Sequence, residues 1–201
     1  SYKFAYRTFS RQGGIDYSDF RVSEGGSAYV KNDSEEPGTF KIMEQGDGTE
    51  VRWYYQARNE TRDFTIAYRV ENLIQRHRDA AVLYYQFLGS DFAKSSANVE
   101  LTVTPPSSLP SYQIQQWLHG PLWAESETRP DGVIHAWCER LPAHQSLELR
   151  ALYPPESFPG APLVDDLVVS LVRSEEAEWA DKANQRRIRA VEEVAVRAKH
   201  M

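Results

Sequence analysis

Hydrophobic and polar residues alternate in two runs within the stretch VRWYYQARNETRDFTIAYRV, residues 51–70. The apolar positions share a parity within each run: Val51, Trp53 and Tyr55, then Phe64, Ile66, Tyr68 and Val70. Because successive side chains of a β-strand point to opposite faces, each run predicts a strand with one apolar face. The polar break between the runs is long enough for an ordinary loop. We predict two antiparallel, half-buried strands whose aromatic rings fill a core.

Similar short runs recur along the chain, separated by turn residues. The turn QGDG at 45–48 predicts a hairpin between the run at 39–44 and the first strand above. Residues 82–87 are apolar on both faces, which predicts a central strand. A turn containing RPDG joins the runs at 122–127 and 133–138, which predicts another strand pair. The other predicted strands cover residues 2–9, 27–31, 98–104 and 146–153.

The pattern changes after the proline-rich corner PPESFPGAP, residues 154–162. From Ser174 onward the chain has neither glycine nor proline, and Ser174 is a typical N-cap residue. The residues at 163–172 fit a strand or the start of a helix. We predict a mainly β fold: an antiparallel β-sandwich, immunoglobulin-like or jelly-roll, over residues 1–162, followed by a connecting segment and a charged C-terminal α-helix over 163–201.

Bulk properties narrow the function. The chain has 201 residues, 41% of them hydrophobic, and a net charge of −6. A negative charge without a basic stripe argues against a nucleic-acid partner. No run of 18 apolar residues occurs, so nothing in these residues is expected to span a bilayer. The single cysteine, Cys138, cannot form a disulfide within the chain.

Residues with catalytic or metal-binding potential do not form a recognisable set. His135 and Cys138 are three positions apart on a predicted strand, so their side chains are expected on opposite faces. Asp165 and Asp166 are adjacent and are expected to diverge, unlike the paired carboxylates of glycoside hydrolases. The histidines match no zinc spacing, and no nucleophile elbow, phosphate loop or dinucleotide fingerprint is present. We therefore predict no enzymatic activity, no catalytic residue, no metal and no cofactor.

One segment combines aromatic rings with a tight turn. In WLHGPLW, Trp117 and Trp123 flank a Gly-Pro pair, and His119 lies between them. Rings displayed on a loop can stack on sugars or on a partner's side chains. The same two tryptophans could instead close the open end of a sandwich, with His119 as a turn residue. Trp117, His119 and Trp123 are the candidate ligand-binding residues.

Several segments together resemble a known family. The stretch at 53–70 and HGPL at 119–122, followed by the proline-bounded strand that ends at Pro154, carry the resemblance most strongly. They resemble the N-terminal region of the bacterial DUF2207 family of predicted membrane proteins, over roughly residues 4–190. The resemblance implies an extracytoplasmic domain at the cell membrane, anchored by transmembrane segments outside this chain. It defines no catalytic residues, because the activity of the family is not established.

Three functions remain open from the sequence. The first is a non-catalytic extracytoplasmic domain that senses, binds or supports something at the cell envelope, with an envelope ligand or protein as partner. The second is a carbohydrate-binding module that uses exposed tryptophans. The third is a structural interaction module that acts through the C-terminal helix. The sequence leaves the oligomeric state open.

Overall fold

The computed structural model describes the backbone of residues 2–46 and 48–199, and the side chains of residues 3–11, 13–46 and 48–192. Within these residues it has fourteen β-strands and one α-helix. The chain divides into two compact units, residues 1–73 and 74–201. The predicted mainly β class with a C-terminal helix is confirmed. The sandwich type and the predicted boundary after residue 162 stay predictions.

The first unit contains two sheets. Its strands are β1 (Tyr2–Ser10), β2 (Asp16–Glu24), β3 (Ser27–Ala28), β4 (Val30–Lys31), β5 (Thr39–Gln45), β6 (Gly48–Ala57) and β7 (Phe64–Glu71). One sheet has the order β1-β6-β5-β4 and the other has the order β3-β2-β7. All pairs are antiparallel except β4 with β5. Both sheets contribute to one aromatic-rich core: Phe9, Phe20, Val22, Phe40, Val51 and Trp53.

The two strands that the stretch at 51–70 predicts are present as β6 and β7. The expected hairpin between β5 and β6 is confirmed. However, β6 and β7 do not pair with each other, because β6 joins β1 and β5 while β7 joins β2. The prediction of one antiparallel pair is therefore wrong: the chain crosses between sheets, and Trp53 meets Phe64 with ring centroids 5.7 Å apart. Alternation indicates which face of a strand is buried but does not identify its neighbours.

The crossing loop is held by one arginine. The Nη2 group of Arg62 donates a 2.7 Å hydrogen bond to Glu24 on β2, and its Nη1 group donates to the Gln56 carbonyl over 3.0 Å. Glu24 also accepts from the Tyr29 hydroxyl at 2.8 Å. The hydrogen bond from Arg62 lowers the pKa of Glu24 to about 2, against the opposing effect of burial. Burial, followed by the contact with Glu24, raises the pKa of Tyr29 to about 12.

The second unit contains two further sheets and the helix. Its strands are β8 (Ile74–Arg76), β9 (Ala81–Leu88), β10 (Ser96–Val103), β11 (Gln115–His119), β12 (Glu125–Thr128), β13 (Ile134–Leu141) and β14 (Leu147–Tyr153). One sheet has the order β11-β14-β9-β8 and the other has the order β10-β13-β12. Both are antiparallel throughout. This confirms the central place of β9 and the pairing of β12 with β13.

The two sheets of the second unit pack on each other. Cys138 and Leu141 of β13 form a buried cluster with Leu147 of β14, and Leu118 of β11 packs against it. The first turns of α1 (Val169–Lys199), 31 residues long, pack on the opposite face of the four-stranded sheet. There Val82 and Leu152 form a second buried cluster with residues at the start of the helix. The four-stranded sheet therefore lies between the three-stranded sheet and the helix.

The helix begins earlier than the sequence predicts. Its first residue is Val169, so the predicted N-cap at Ser174 is wrong. The carboxylate of Asp79, in the β8–β9 loop, accepts hydrogen bonds from the backbone N–H groups of Val168 at 2.8 Å and Val169 at 3.1 Å. An N-cap residue normally satisfies such groups from its own position in the chain. Here a residue 89 positions away supplies the acceptor.

Candidate functional site

The segment WLHGPLW lies where the helix meets the four-stranded sheet. Trp117 and His119 are two positions apart on β11, so both side chains point to the same face of the sheet. On the neighbouring strand β14 their partners are Arg150 and Glu148. An added Cβ at Gly120 would lie 2.8 Å from the Leu147 side chain, so any larger residue at this turn would require that buried side chain to move. The local sequence thus brings the turn close against the sheet.

Trp117 is covered by the start of the helix. Its partly buried indole packs against a cluster that combines the sheet with α1: Ala80, Val82, Leu152, Val168 and Val172. Val172 is fully buried in this cluster. The ring therefore contributes to attaching the helix to the sheet.

His119 contacts the next turn of the helix. Its ring lies 4.8 Å from the Trp179 ring in a perpendicular arrangement. The Nε2 atom lies 3.3 Å from Glu176 Oε2, which is within ion-pair distance. The same nitrogen is buried and has no hydrogen-bond partner among the described residues, so the two groups are close without being aligned. The contact between His119 and Glu176 is therefore a close approach and not a hydrogen bond.

Arg150 forms the centre of a buried ionic cluster beneath the helix. Its Nη1 group lies 2.6 Å from Glu175 Oε2 and 3.3 Å from Glu176 Oε1. Only 9% of Arg150 and 3% of Glu176 are exposed to solvent. The guanidinium also lies 5.3 Å from the centre of the Tyr84 ring. Since a buried charge without a partner costs several kcal/mol, each of these groups depends on the other for a stable position.

A polar network adjoins this cluster on the same face of the sheet. Glu148 accepts hydrogen bonds from the Tyr84 hydroxyl at 3.1 Å, from Gln86 at 2.9 Å and from Ser146 at 2.9 Å. Burial raises the pKa of Tyr84 to about 12, and the negative charge of Glu148 adds to this effect. The phenol therefore stays protonated at neutral pH and acts as a donor to Glu148.

Trp123 has a different environment from Trp117. It is 53% exposed, and its Nε1 group donates a 2.9 Å hydrogen bond to the Arg140 carbonyl. The preceding residue, Leu122, accepts a 3.0 Å hydrogen bond at its carbonyl from Arg187 of the helix. Of the three candidate residues, Trp117 and His119 thus contact α1, whereas Trp123 displays its ring at the surface of the turn.

The segment before the helix is fastened to the β8–β9 loop. Arg76 and Leu163 form a short parallel bridge, and His77 contacts Asp166 through its Nδ1 atom. Burial acts to raise the pKa of Asp79, but its hydrogen bonds from the Val168 and Val169 N–H groups outweigh this and lower it. Asp79 therefore carries a negative charge at the positive end of the helix dipole, where it is favourable.

The described residues also bear on the other sequence expectations. Cys138 is buried, whereas His135 points to the opposite face of β13, as predicted. Asp165 lies 3.5 Å from Arg78 and Asp166 contacts His77, so these carboxylates diverge as expected. Within the described part of the chain, no group of three or more histidine, cysteine or acidic side chains is placed to hold a metal ion.

The sequence did not predict the charged residues that contact each other between α1 and the four-stranded sheet. Arg150 lies on the polar parity of β14, which normally predicts a solvated side chain. From the sequence, Glu175 and Glu176 are expected to lie at the helix N-terminus and favour its dipole. That expectation is wrong, because α1 begins at Val169 with no acidic residue in its first turn, and both glutamates contact Arg150 instead. The available signal was Trp179, a large aromatic residue within a charged helix, because such a ring usually marks a contact face.

Comparison with known proteins identifies a family for the part of the chain that precedes the helix. The family model described as predicted membrane protein (DUF2207) N-terminal domain matches residues 1–153. The matched part includes β11 and β14 and ends before α1. Neither the comparison with curated proteins nor the comparison with solved structures gives a match.

Proposed function

Because the chain belongs to the DUF2207 family of predicted membrane proteins through its N-terminal domain, we propose that it is a non-catalytic extracytoplasmic domain whose C-terminal helix connects it to a membrane-embedded part. The family supports the membrane association. The attachment of α1 to the second unit supports the role of the helix. No described helix is long and apolar enough to cross a membrane.

The observation that carries this proposal is the unequal burial along α1. Its first turns pack against the sheet, with Val172 fully buried and Glu176 3% exposed. Residues 184–192 are exposed, although Arg187 still reaches the Leu122 carbonyl. At about 1.5 Å per residue the helix is roughly 46 Å long. A helix that is docked through its first turns and exposed over residues 184–192 is suited to link a β-domain to a distant structure.

This arrangement also fits a role in mechanical coupling. To move the helix away from the sheet, the contact of Glu176 with Arg150 would have to break and the fully buried Val172 would become exposed to water, which is unfavourable. The sheets of the second unit and the helix are therefore expected to move as one body. A ligand or partner bound to the second unit would act on the membrane part through α1.

Amide hydrogen exchange tests the proposed fixed and free parts of the helix. Amides at 169–179 are expected to exchange more slowly than those at 184–192, because the first group opens only when tertiary contacts break. Arg150→Met should raise exchange at 169–179 and leave 184–192 unchanged. Equal exchange along the whole helix would contradict the proposal.

Cysteine labelling in cells tests the proposed side of the membrane. The protein is expressed with its native flanking segments and carries Ser107→Cys at an exposed position. A membrane-impermeant maleimide added to intact cells should label this variant. The parent protein is the matched control, because its Cys138 is 1% exposed and should react only after denaturation. Labelling of Ser107→Cys only after lysis would place the domain in the cytoplasm and refute the proposal.

The alternative in which the helix binds a partner is supported by two exposed apolar side chains. Ile188 and Val191 are 58% and 69% exposed at helical spacing, which leaves an apolar strip on the free part of α1. If this strip pairs with another copy, sedimentation should show a dimer that Ile188→Glu disrupts. A monomer at all concentrations would rule out self-association.

The sugar-binding alternative rests on Trp123, since Trp117 already contacts the helix. Stacking on a sugar should change tryptophan fluorescence on titration with chitotetraose, and Trp123→Ala should remove that change. An unchanged signal in the parent protein would refute this alternative.

A further inference from the structure

The outer face of the three-stranded sheet in the second unit carries a groove of about 450 Å³. Its floor is formed by β13, where Ile134, Ala136 and Cys138 are buried and point inward. The alternate residues His135 and Trp137 therefore point into the groove. Their rings are stacked, with centroids 5.1 Å apart and planes inclined by 27°. The groove thus has an aromatic floor on a regular sheet.

Carboxylates flank these rings on both neighbouring strands. Trp137 pairs with Glu100 on β10 and with Glu125 on β12, and His135 pairs with Glu127 on β12. Glu139 also lines the groove. Because strand partners lie about 5 Å apart, a group that stacks on Trp137 is within reach of carboxylates on either side.

The described carboxylates of the groove are weakly engaged within the protein. The His135 ring nitrogens lie 4.0 Å from Glu100 and 3.8 Å from Glu127, beyond hydrogen-bond length. Arg129 lies 3.6 Å from Glu127 and is 47% exposed. The side chain of Glu100 is 77% exposed. Among the described residues that line the groove, the carboxylates Glu100, Glu127 and Glu139 outnumber the cationic side chain of Arg129.

From this geometry we propose that the groove binds a cationic peptide segment, with a lysine or arginine side chain over Trp137 and within reach of Glu100 and Glu127. An ammonium or guanidinium group gains from the indole face and from the carboxylates together. A neutral sugar would use the ring but not the charge, so the charge of the groove selects the cation. This inference goes beyond the proposed membrane-linked role, because it assigns a ligand class to a different face of the second unit.

Calorimetric titration of the protein with hexalysine at low salt tests the proposal. Binding is expected, and raising the salt concentration should weaken it, because charge interactions are screened. Trp137→Leu and the double variant Glu100→Gln/Glu127→Gln should each lower the affinity about tenfold, which corresponds to the loss of about 1.4 kcal/mol. Uncharged hexaglutamine should not bind.

A matched pair of substitutions separates this site from general attraction to an acidic protein. Asp33→Asn/Glu36→Gln removes the same two charges at exposed positions in the first unit and should leave the affinity unchanged. An equal loss in this control would refute the proposal, as would absence of binding to the parent protein. Full affinity in Glu100→Gln/Glu127→Gln would also refute it, and this surface variant does not depend on the packing of Trp137. Preferential binding of chitotetraose over hexalysine would show a sugar site instead.

Discussion

In the second unit, the outer faces of the four-stranded and three-stranded sheets carry the same residue types, but these residues have different roles on the two faces. On the four-stranded sheet, Trp117, His119 and Arg150 lie beneath α1, and Arg150 is 9% exposed. On the three-stranded sheet, His135 and Trp137 lie in an open groove beside Glu100, whose side chain is 77% exposed. The two faces differ because α1 covers the first one and leaves the second one open. Covering a face turns its aromatic and charged residues into structural contacts, whereas an uncovered face leaves them available to a ligand.

Charged residues on the two faces are expected to contribute differently to the stability of the fold. A charge on the covered face has lost most of its water, so its ion pair is required for a stable fold. A charge on the open face remains hydrated, and an exposed ion pair there contributes little. Equal substitutions on the two faces should therefore have unequal effects on stability.

The largest effect is expected from Arg150→Met. It leaves the buried Glu176 without the guanidinium and with only the His119 ring 3.3 Å away, which should lower the free energy of unfolding by about 3–5 kcal/mol. Urea denaturation at neutral pH, followed by tryptophan fluorescence, measures this change. Arg129→Met on the open face is the matched control and should change stability by less than about 0.5 kcal/mol.

A second variant shows whether the loss comes from an uncompensated charge. Arg150→Met/Glu176→Met removes both members of the pair and should recover most of the stability, because apolar replacement of a whole buried pair is often neutral. If the double variant is less stable than Arg150→Met, the buried-charge argument is wrong.

Much of the second unit could be predicted from the sequence. The alternation in β13 correctly places Cys138 inside and His135 outside, because the period of two is a local property. The burial of Arg150 could not be predicted in this way. Its parity marks it as outward-facing, and only the position of α1, a tertiary feature, makes that face an interior.

Three-dimensional proximity also explains the wrong helix start. Ser174 satisfies the local rules for an N-cap, but Asp79 provides the acceptors from a distant loop and lets α1 begin at Val169. The candidate site shows the same limit. Trp117, His119 and Trp123 are close in sequence, yet the helix covers the first two and leaves Trp123 exposed.

A smaller effect is expected from Val172→Ala, which tests the apolar part of the junction. Val172 is fully buried between the helix and the sheet, so removing two methyl groups should cost about 1–3 kcal/mol from lost burial and a cavity. Val191→Ala, on the exposed part of the same helix, should change stability by less than about 0.5 kcal/mol. Equal effects in urea denaturation would mean that the first turns of α1 are not docked.

The next effect concerns the cap that Asp79 provides. Asp79→Ala should lower stability at pH 7 by about 1 kcal/mol, the usual contribution of an N-cap. The pKa of Asp79 is lower in the folded protein than its ordinary value of 3.8. Its charged form therefore stabilises the fold above that value, and this contribution is lost as the pH falls through the folded pKa.

Urea midpoints at pH 7 and near pH 3 test this pH dependence. The difference between the parent protein and Asp79→Ala should be larger at pH 7 and should narrow towards pH 3. Asp91→Ala, at an exposed position in the second unit, is the control. A difference that stays constant with pH would show that the charge of Asp79 does not contribute to the cap.

The smallest effect on stability is expected from Glu100→Gln/Glu127→Gln on the open face. Both carboxylates are largely exposed and lie beyond hydrogen-bond length from His135. Their removal should therefore change the free energy of unfolding by less than about 0.5 kcal/mol. The same variant is expected to lose affinity for hexalysine, and such a separation of binding from stability is typical of a ligand site. If instead urea denaturation shows a loss as large as that of Arg150→Met, these carboxylates support the fold, and the contrast between the two faces fails.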